Sequence, residues 1–285
     1  MSALAAAAGY CFPRVLLVHT GDRPDIDLID WAALLSSGAT TVAAFPSDIV
    51  LRSLAPATRR RFLARGLAAP NLRFLAEPDV DAALEAAAEA KADLLVMRHP
   101  RLFEKSRSLA RRVLAESPCS ICLVTERAPS RIERIVAGID LDDSGQEVLT
   151  QAASLYHSTG AEELIALHSC FHETLSDDEE HHERFRFERE IALLRFMSRA
   201  RLPGVSCTPL VEEAAQPHRA LARVASQLAA DLVVVGRRSG SAPRISNRLL
   251  WECTSPLVQV LLPDTGGGLR AFLRRFFSNP DLTCN

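Results

Sequence analysis

Short, unbroken apolar runs alternate along the chain with longer stretches whose apolar members recur at helical spacing. In the first part the runs fall at residues 15–18, 41–45, 72–75, 94–97 and 121–125, each brief enough to be a strand buried on both faces. Between them, 25–35, 48–67, 80–91 and 102–116 read as helices, the third rich in alanine and the second disturbed by Pro56. The pattern starts again at 135–139 and continues with runs at 164–167, 206–211, 232–235 and 257–262. Ser144 followed by Glu147 reads as a capping box opening the first helix of this second series. Strands alternating with helices predict parallel sheets covered by helices on both faces.

The two series are copies of each other. Ala92-Asp93 and Ala230-Asp231 each open an apolar run, and Ser117-Pro118 and Ser255-Pro256 follow at equal distance, so both pairs stand 138 positions apart. Arg14-Val15-Leu16 and Arg134-Ile135-Val136 stand 120 apart, which leaves the second copy 18 residues longer between its first and fourth strands. The expected organisation is a first domain over 1–126, a polar linker, a second domain over 132–264 and a tail over 265–285. In the tail, a short basic amphipathic segment at 269–277 follows Gly266–Gly268 and is expected to pack its Phe and Leu side chains on the protein or on a second subunit.

Composition narrows the classes. With 285 residues, 48% hydrophobic and 24% charged, the chain is long enough to bury two cores. A net charge of −2 gives no electrostatic basis for nucleic-acid binding. No apolar stretch is long enough to span a bilayer, and the first basic residue, Arg14, follows the apolar N-terminal residues instead of preceding them as in a secretory signal. Seven cysteines, an odd number, fit reduced thiols in a cytoplasm. Cys119 and Cys122 form a CxxC, but between a helix end and a strand, so two packed thiols are expected there.

Four features together resemble the universal stress protein domain. They are the first strand ending in Ile139-Asp140, the second closing on Leu167-His168, the Ser117-Pro118-Cys119 before a last strand, and the apolar strand running into Val235-Gly236-Arg237-Arg238-Ser239-Gly240. The resemblance spans about residues 13–262. It implies two tandem, doubly wound five-stranded parallel sheets of the adenine nucleotide alpha hydrolase-like kind, packed as a pseudo-dimer with the last strands 121–125 and 257–262 protecting each other's edges. It also implies an ATP-binding subgroup with a Gly-x-x-Gly, nine residues, Gly-Ser/Thr pattern, in which loop and helix-start amides bind phosphate.

Both copies depart from that pattern. In the second, Asp140 matches the acidic position that meets the adenine amino group, and Gly236 matches the first glycine. Gly240 falls one residue late, and in a loop shorter than the pattern Ile245 stands in place of the later glycine and Ser246 in the serine position. Arg237, Arg238 and Arg244 bring positive charge. In the first copy Arg98 replaces the glycine, Pro100 follows, Arg107 precedes Ser108 and Thr20 replaces the acid. The expected nucleotide site is therefore single: Asp140, Gly236, Arg237, Arg238, Ser239, Gly240 and Ser246, taking ATP or another adenine nucleotide. The functional expectation is a cytoplasmic stress-response or signalling module that acts through a protein partner, with homodimerisation compatible. Competing readings are a ligand-free or metal-binding interaction module and a slow ATPase. His168, Cys170 and His172 alternate in ligand types suited to zinc, although alternation at a strand end also describes one ordinary face. No catalytic constellation stands out.

Overall fold

The apolar runs form strands, and the strands join into one sheet. The structure, a computed structural model, describes residues 12–19, 25–45, 47–74, 80–99, 104–126, 128–171, 179–200, 202–238 and 244–262. The first series gives β1 (Phe12–Val18), α1 (Ile26–Leu35), β2 (Ser36–Phe45), α2 (Asp48–Ala64), β3 (Asn71–Phe74), α3 (Val80–Glu89), β4 (Leu94–Arg98), α4 (Glu104–Glu116) and β5 (Ser120–Val124). The second gives β6 (Arg134–Gly138), α5 (Asp143–Thr159), β7 (Glu163–Cys170), α6 (Glu179–Ala200), β8 (Cys207–Glu213), α7 (Pro217–Gln227), β9 (Leu232–Arg238), α8 (Arg244–Glu252) and β10 (Leu257–Leu262). The fold is α/β with a mostly parallel central sheet. The tail expectation, at 265–285, lies outside the described residues.

Strand order is β3-β2-β1-β4-β5-β10-β9-β6-β7-β8, so each half has the same internal order, read outward from its last strand. Neighbours within each half are parallel. β5 and β10 pair antiparallel, Leu257 opposite Leu123 and Gln259 opposite Ile121. That pairing gives backbone partners to two apolar strands that would otherwise be edges. Successive strand residues feed opposite cores: Leu17, Leu94, Val96 and Cys122 face one, Leu16, Leu95, Met97 and Ile121 the other. Trp31 of α1 is buried and donates its indole N–H to the carbonyl of Pro129 at 3.0 Å, tying the linker to the first half.

Local details correct the sequence reading in three places. α2 runs through Pro56 without a break from Asp48 to Ala64. The N-cap of α5 is Asp142, whose carboxylate accepts from the amide of Gly145 at 3.0 Å, so the expected capping box of Ser144 and Glu147 is not the device used. Gly160, in the left-handed conformation, closes the same helix. The third correction concerns β9. It continues through Gly236 and Arg237 to Arg238, residues expected to lie in a loop. The extra length of the second half sits partly in its helices: α5 and α6 have 17 and 22 residues, where α1 and α2 have 10 and 17. Among the described residues no helix is long and apolar enough to cross a membrane.

Candidate functional site

A cleft of 480 Å³ opens at the carboxyl ends of the second-half strands. It lies where the chain order reverses: from β6 the sheet grows through β7 on one side and β9 on the other, and ligands of parallel sheets sit at such points. Asp140 follows β6 at one wall, Ser169 of β7 lines another, and Gly236 and Arg238 of β9 form the third. The starts of α5 (Ser144, Gly145), α7 (Pro217) and α8 (Arg244, Ser246) border it as well. Three helix N-termini bring the positive ends of their dipoles toward one space, a setting that favours an anion.

Close packing explains the glycines. A Cβ on Gly145 would stand 1.8 Å from the carbonyl oxygen of Asp140, so the turn after β6 can fold down onto α5 only over a glycine. A Cβ on Gly236 would meet Val148 Cγ2 at 2.7 Å and Leu262 Cδ1 at 2.8 Å. Gly236 therefore serves packing between β9, α5 and β10 as well as leaving the cleft floor low.

The charged groups are arranged in opposite senses. Arg238 donates to Asp142 Oδ2 at 2.7 Å and to Ser144 Oγ at 3.3 Å. Partial burial alone would raise the Asp142 carboxyl, but the bonds from the Ser144 hydroxyl and the Gly145 amide, with the charge of Arg238, hold it below the usual carboxylate range. Arg244 is exposed and forms no ion pair among the described residues. Ser246 is buried and its hydroxyl accepts from Gln259 Nε2 at 2.7 Å. The hydroxyl of Ser169 is buried at the cleft with no hydrogen-bond partner.

Of the residues expected from sequence, Asp140, Gly236, Arg238 and Ser246 come together around this cleft. Arg237 also borders it, yet its guanidinium turns to the first half, donating from Nη1 to the carbonyl of Ala115 and from Nη2 to that of Ser117, both at 2.7 Å. Its charge is spent at the end of α4, because in a strand the residue after Gly236 faces the opposite side of the sheet. Ser239 and Gly240 lie outside the described residues, as do Thr20, Pro100 and His172. Sequence reading passed over Asp142, Gly145 and Ser169. The Asp142-x-x-Gly145 spacing is the available signal for the first two, since an N-cap side chain bonds an amide three residues on.

The matching position in the first half carries a long side chain where the second half has none. Arg98 stands where Gly236 does, and its guanidinium grips the carboxylate of Asp25 with both arms, Nε to Oδ2 at 2.6 Å, while Nη1 donates to the carbonyl of Thr125 at 2.6 Å. Asp25 is the N-cap of α1, as Asp142 is of α5. In both halves an arginine of the fourth strand thus pairs with the first N-cap aspartate. In the first half it springs from the floor position, with the side chain only 22% exposed, whereas in the second it springs two residues further out, at Arg238, and is 52% exposed.

Other candidate chemistry is not assembled. Among the described residues no three His, Cys, Asp or Glu side chains group as a metal site. His168 Nδ1 bonds the carbonyl of Ile139 at 3.1 Å, and Cys170 is a half-buried free thiol. Cys119 and Cys122 are buried free thiols that face opposite cores, and burial raises both pKa values. Neither is a reactive thiolate. Titration of the native protein with a thiol-specific reagent should leave both unmodified until denaturant is added; rapid labelling of either in the folded protein contradicts this packing.

Residues 131–260 match the Universal stress protein family. No curated protein matches the chain. Among solved structures, a functionally unknown protein from Pseudomonas aeruginosa PAO1 is similar over 96% of this chain and 99% of its own, with 16% identity and a TM-score of 0.65. A universal stress protein from Archaeoglobus fulgidus DSM 4304 is similar over 87% and 96%, with 15% identity and a TM-score of 0.57. At such identities the likeness is one of fold. A further universal stress protein, solved in complex with cAMP, aligns with 46% of this chain at 21% identity and a TM-score of 0.37.

Proposed function

We propose that the chain is a tandem universal stress protein in which the second half binds one adenine nucleotide, the first half binds none, and a protein partner reads the nucleotide-dependent state in the cytoplasm. The observation that carries this reading is the exchange of Arg98 for Gly236 at the floor of matched clefts. Arg98 lays its guanidinium across to Asp25 over the matching floor, whereas Gly236, with the arginine displaced to Arg238, leaves 480 Å³ open. In the proposed complex the base lies toward Asp140 and the phosphates toward the starts of α5 and α8, near Ser144, Arg244 and Ser246. The match of residues 131–260 to the family supports the same half as the ligand-binding one. The proposal is of binding and switching: occupancy shifts the population of a conformer, and the partner has affinity for that conformer.

Calorimetric titration with ATP tests the reading. One site per chain is expected. Arg244→Ala removes an exposed cation without disturbing the core, and loss of one charge-assisted contact lowers affinity by about tenfold to a hundredfold. Two equivalent sites per chain, no binding, or unchanged affinity in Arg244→Ala would each overturn it.

A further inference from the structure

The seam between the halves carries a second cleft, of 450 Å³, unrelated to the one at the ends of β6 and β9. It lies between the carboxyl ends of β4 and β5, which supply His99, Thr125 and Glu126, and the opposite end of the second half, which supplies Asp231, Thr254 and Ser255. Its polar lining is built and unsatisfied. Thr125 is 3% exposed and its hydroxyl has no hydrogen-bond partner. Asp231 Oδ2 accepts the amides of Glu133 and Arg134 at 2.8 and 3.0 Å, and none of the described residues donates to Oδ1. The described lining holds two carboxylates, Glu126 and Asp231, and neither lysine nor arginine. Arg98, which donates to the carbonyl of Thr125, is itself neutralised by Asp25.

The internal repeat indicates what such a cleft takes. His99 and Arg237 occupy matched positions, each the residue after the floor position of its fourth strand, and each is buried against the other half. On one side of the seam the guanidinium of Arg237 is received by the carbonyls of Ala115 and Ser117 at the end of α4. On the other side the matching positions are Cys253 and Ser255, and Ser255, with Thr254 beside it, borders open space, because the histidine is too short to fill it as an arginine would. The counterpart cleft on the other side of the seam, lined by Asp93 and Pro118, is smaller, at 330 Å³.

The geometry points to a binding site for a small guanidinium compound in the cleft at His99, held by Glu126, Asp231, the Thr125 hydroxyl and backbone carbonyls after α8. The donors of a guanidinium match an acceptor-rich lining with negative charge, and such charge-assisted bonds are the strong ones. The site is independent of the nucleotide reading, since it uses neither the β6–β9 cleft nor any residue of it.

The test is calorimetric titration of the full-length protein with agmatine and with N-carbamoylputrescine, which keeps the amine and replaces the guanidinium by a neutral urea. Agmatine binds once per chain and the ureido compound does not. His99→Arg copies the residue of the other half, fills the cleft with an internal guanidinium and removes binding. Glu126→Gln, at an exposed position that leaves the fold intact, weakens binding by about tenfold, the effect of one lost charged partner. No binding of millimolar agmatine, equal binding of the ureido compound, or unchanged affinity in both variants overturns the assignment.

Discussion

Gly236→Ala should destabilise the protein by about 1–3 kcal/mol, an overpacking penalty, although it adds a single methyl group. The reason is the pair of contacts at 2.7 and 2.8 Å that a Cβ would make with Val148 of α5 and Leu262 of β10. Both neighbours are buried side chains, so relief requires Val148 and Leu262 to shift or change rotamer against their packed surroundings. Gly236→Arg, which copies the first-half residue, should cost more, because the longer side chain enters the same contacts before it reaches the cleft. Had the position lain in a surface loop, as the sequence suggests, neither substitution would affect stability. Urea unfolding followed by circular dichroism distinguishes the two cases: an Ala variant with wild-type midpoint and slope would mean that Val148 and Leu262 yield freely. Loss of ATP binding in Gly236→Arg is consequently a poor test of the nucleotide site, and Arg244→Ala, on exposed surface, is the better one.

The like strand order of the two halves was legible because it is written in short-range terms. Asp93 and Asp231 each precede a strand, and each accepts the backbone amide of an arginine at the start of a neighbouring first strand, Arg14 and Arg134, at 3.0 Å. Apolar strands and local turn residues carry that information in a few adjacent positions, so strand identity and the relation between the halves could be read directly. The site was legible only in its skeleton. Gly236, Asp140 and Ser246 belong to a spaced pattern, but what fills or opens the cleft depends on pairings between distant residues. Arg98 finds Asp25, 73 positions earlier, and Arg238 finds Asp142, 96 positions earlier. Consecutive arginines after an apolar run look like a solvated loop. Here they extend β9, because Arg237 has carbonyl acceptors across the seam and Arg238 has a carboxylate across the cleft. Tertiary partners override local polarity, and no local pattern announces them.

Arg237→Leu should cost about 2–4 kcal/mol, the second large effect, and should loosen the seam more than either half. Two opposed terms meet at this residue. Its guanidinium is 5% exposed, pairs with no carboxylate among the described residues, leaves Nε without a partner, and has its pKa lowered by burial, so keeping a charge there is expensive. Apolar replacement of buried ionic groups is often harmless when both partners are removed together. Here they cannot be, because the acceptors are the backbone carbonyls of Ala115 and Ser117 at the end of α4, and no side-chain substitution deletes them. The leucine variant therefore leaves two carbonyl oxygens facing apolar surface, and it also withdraws a cation from the negative end of the α4 dipole. The unmet acceptors outweigh the relief of burying no charge. Arg237→Lys should recover part of the loss, since an ammonium can serve one carbonyl but does not span both as the planar fork does. Hydrogen exchange of the β5 and β10 amides, set beside exchange in β1 and β6, reads the effect where it arises. Selective loss of protection at β5 and β10 is expected, and protection unchanged there, or a leucine variant as stable as the wild type, would show that the carbonyls find other donors and that Arg237 does not hold the halves together.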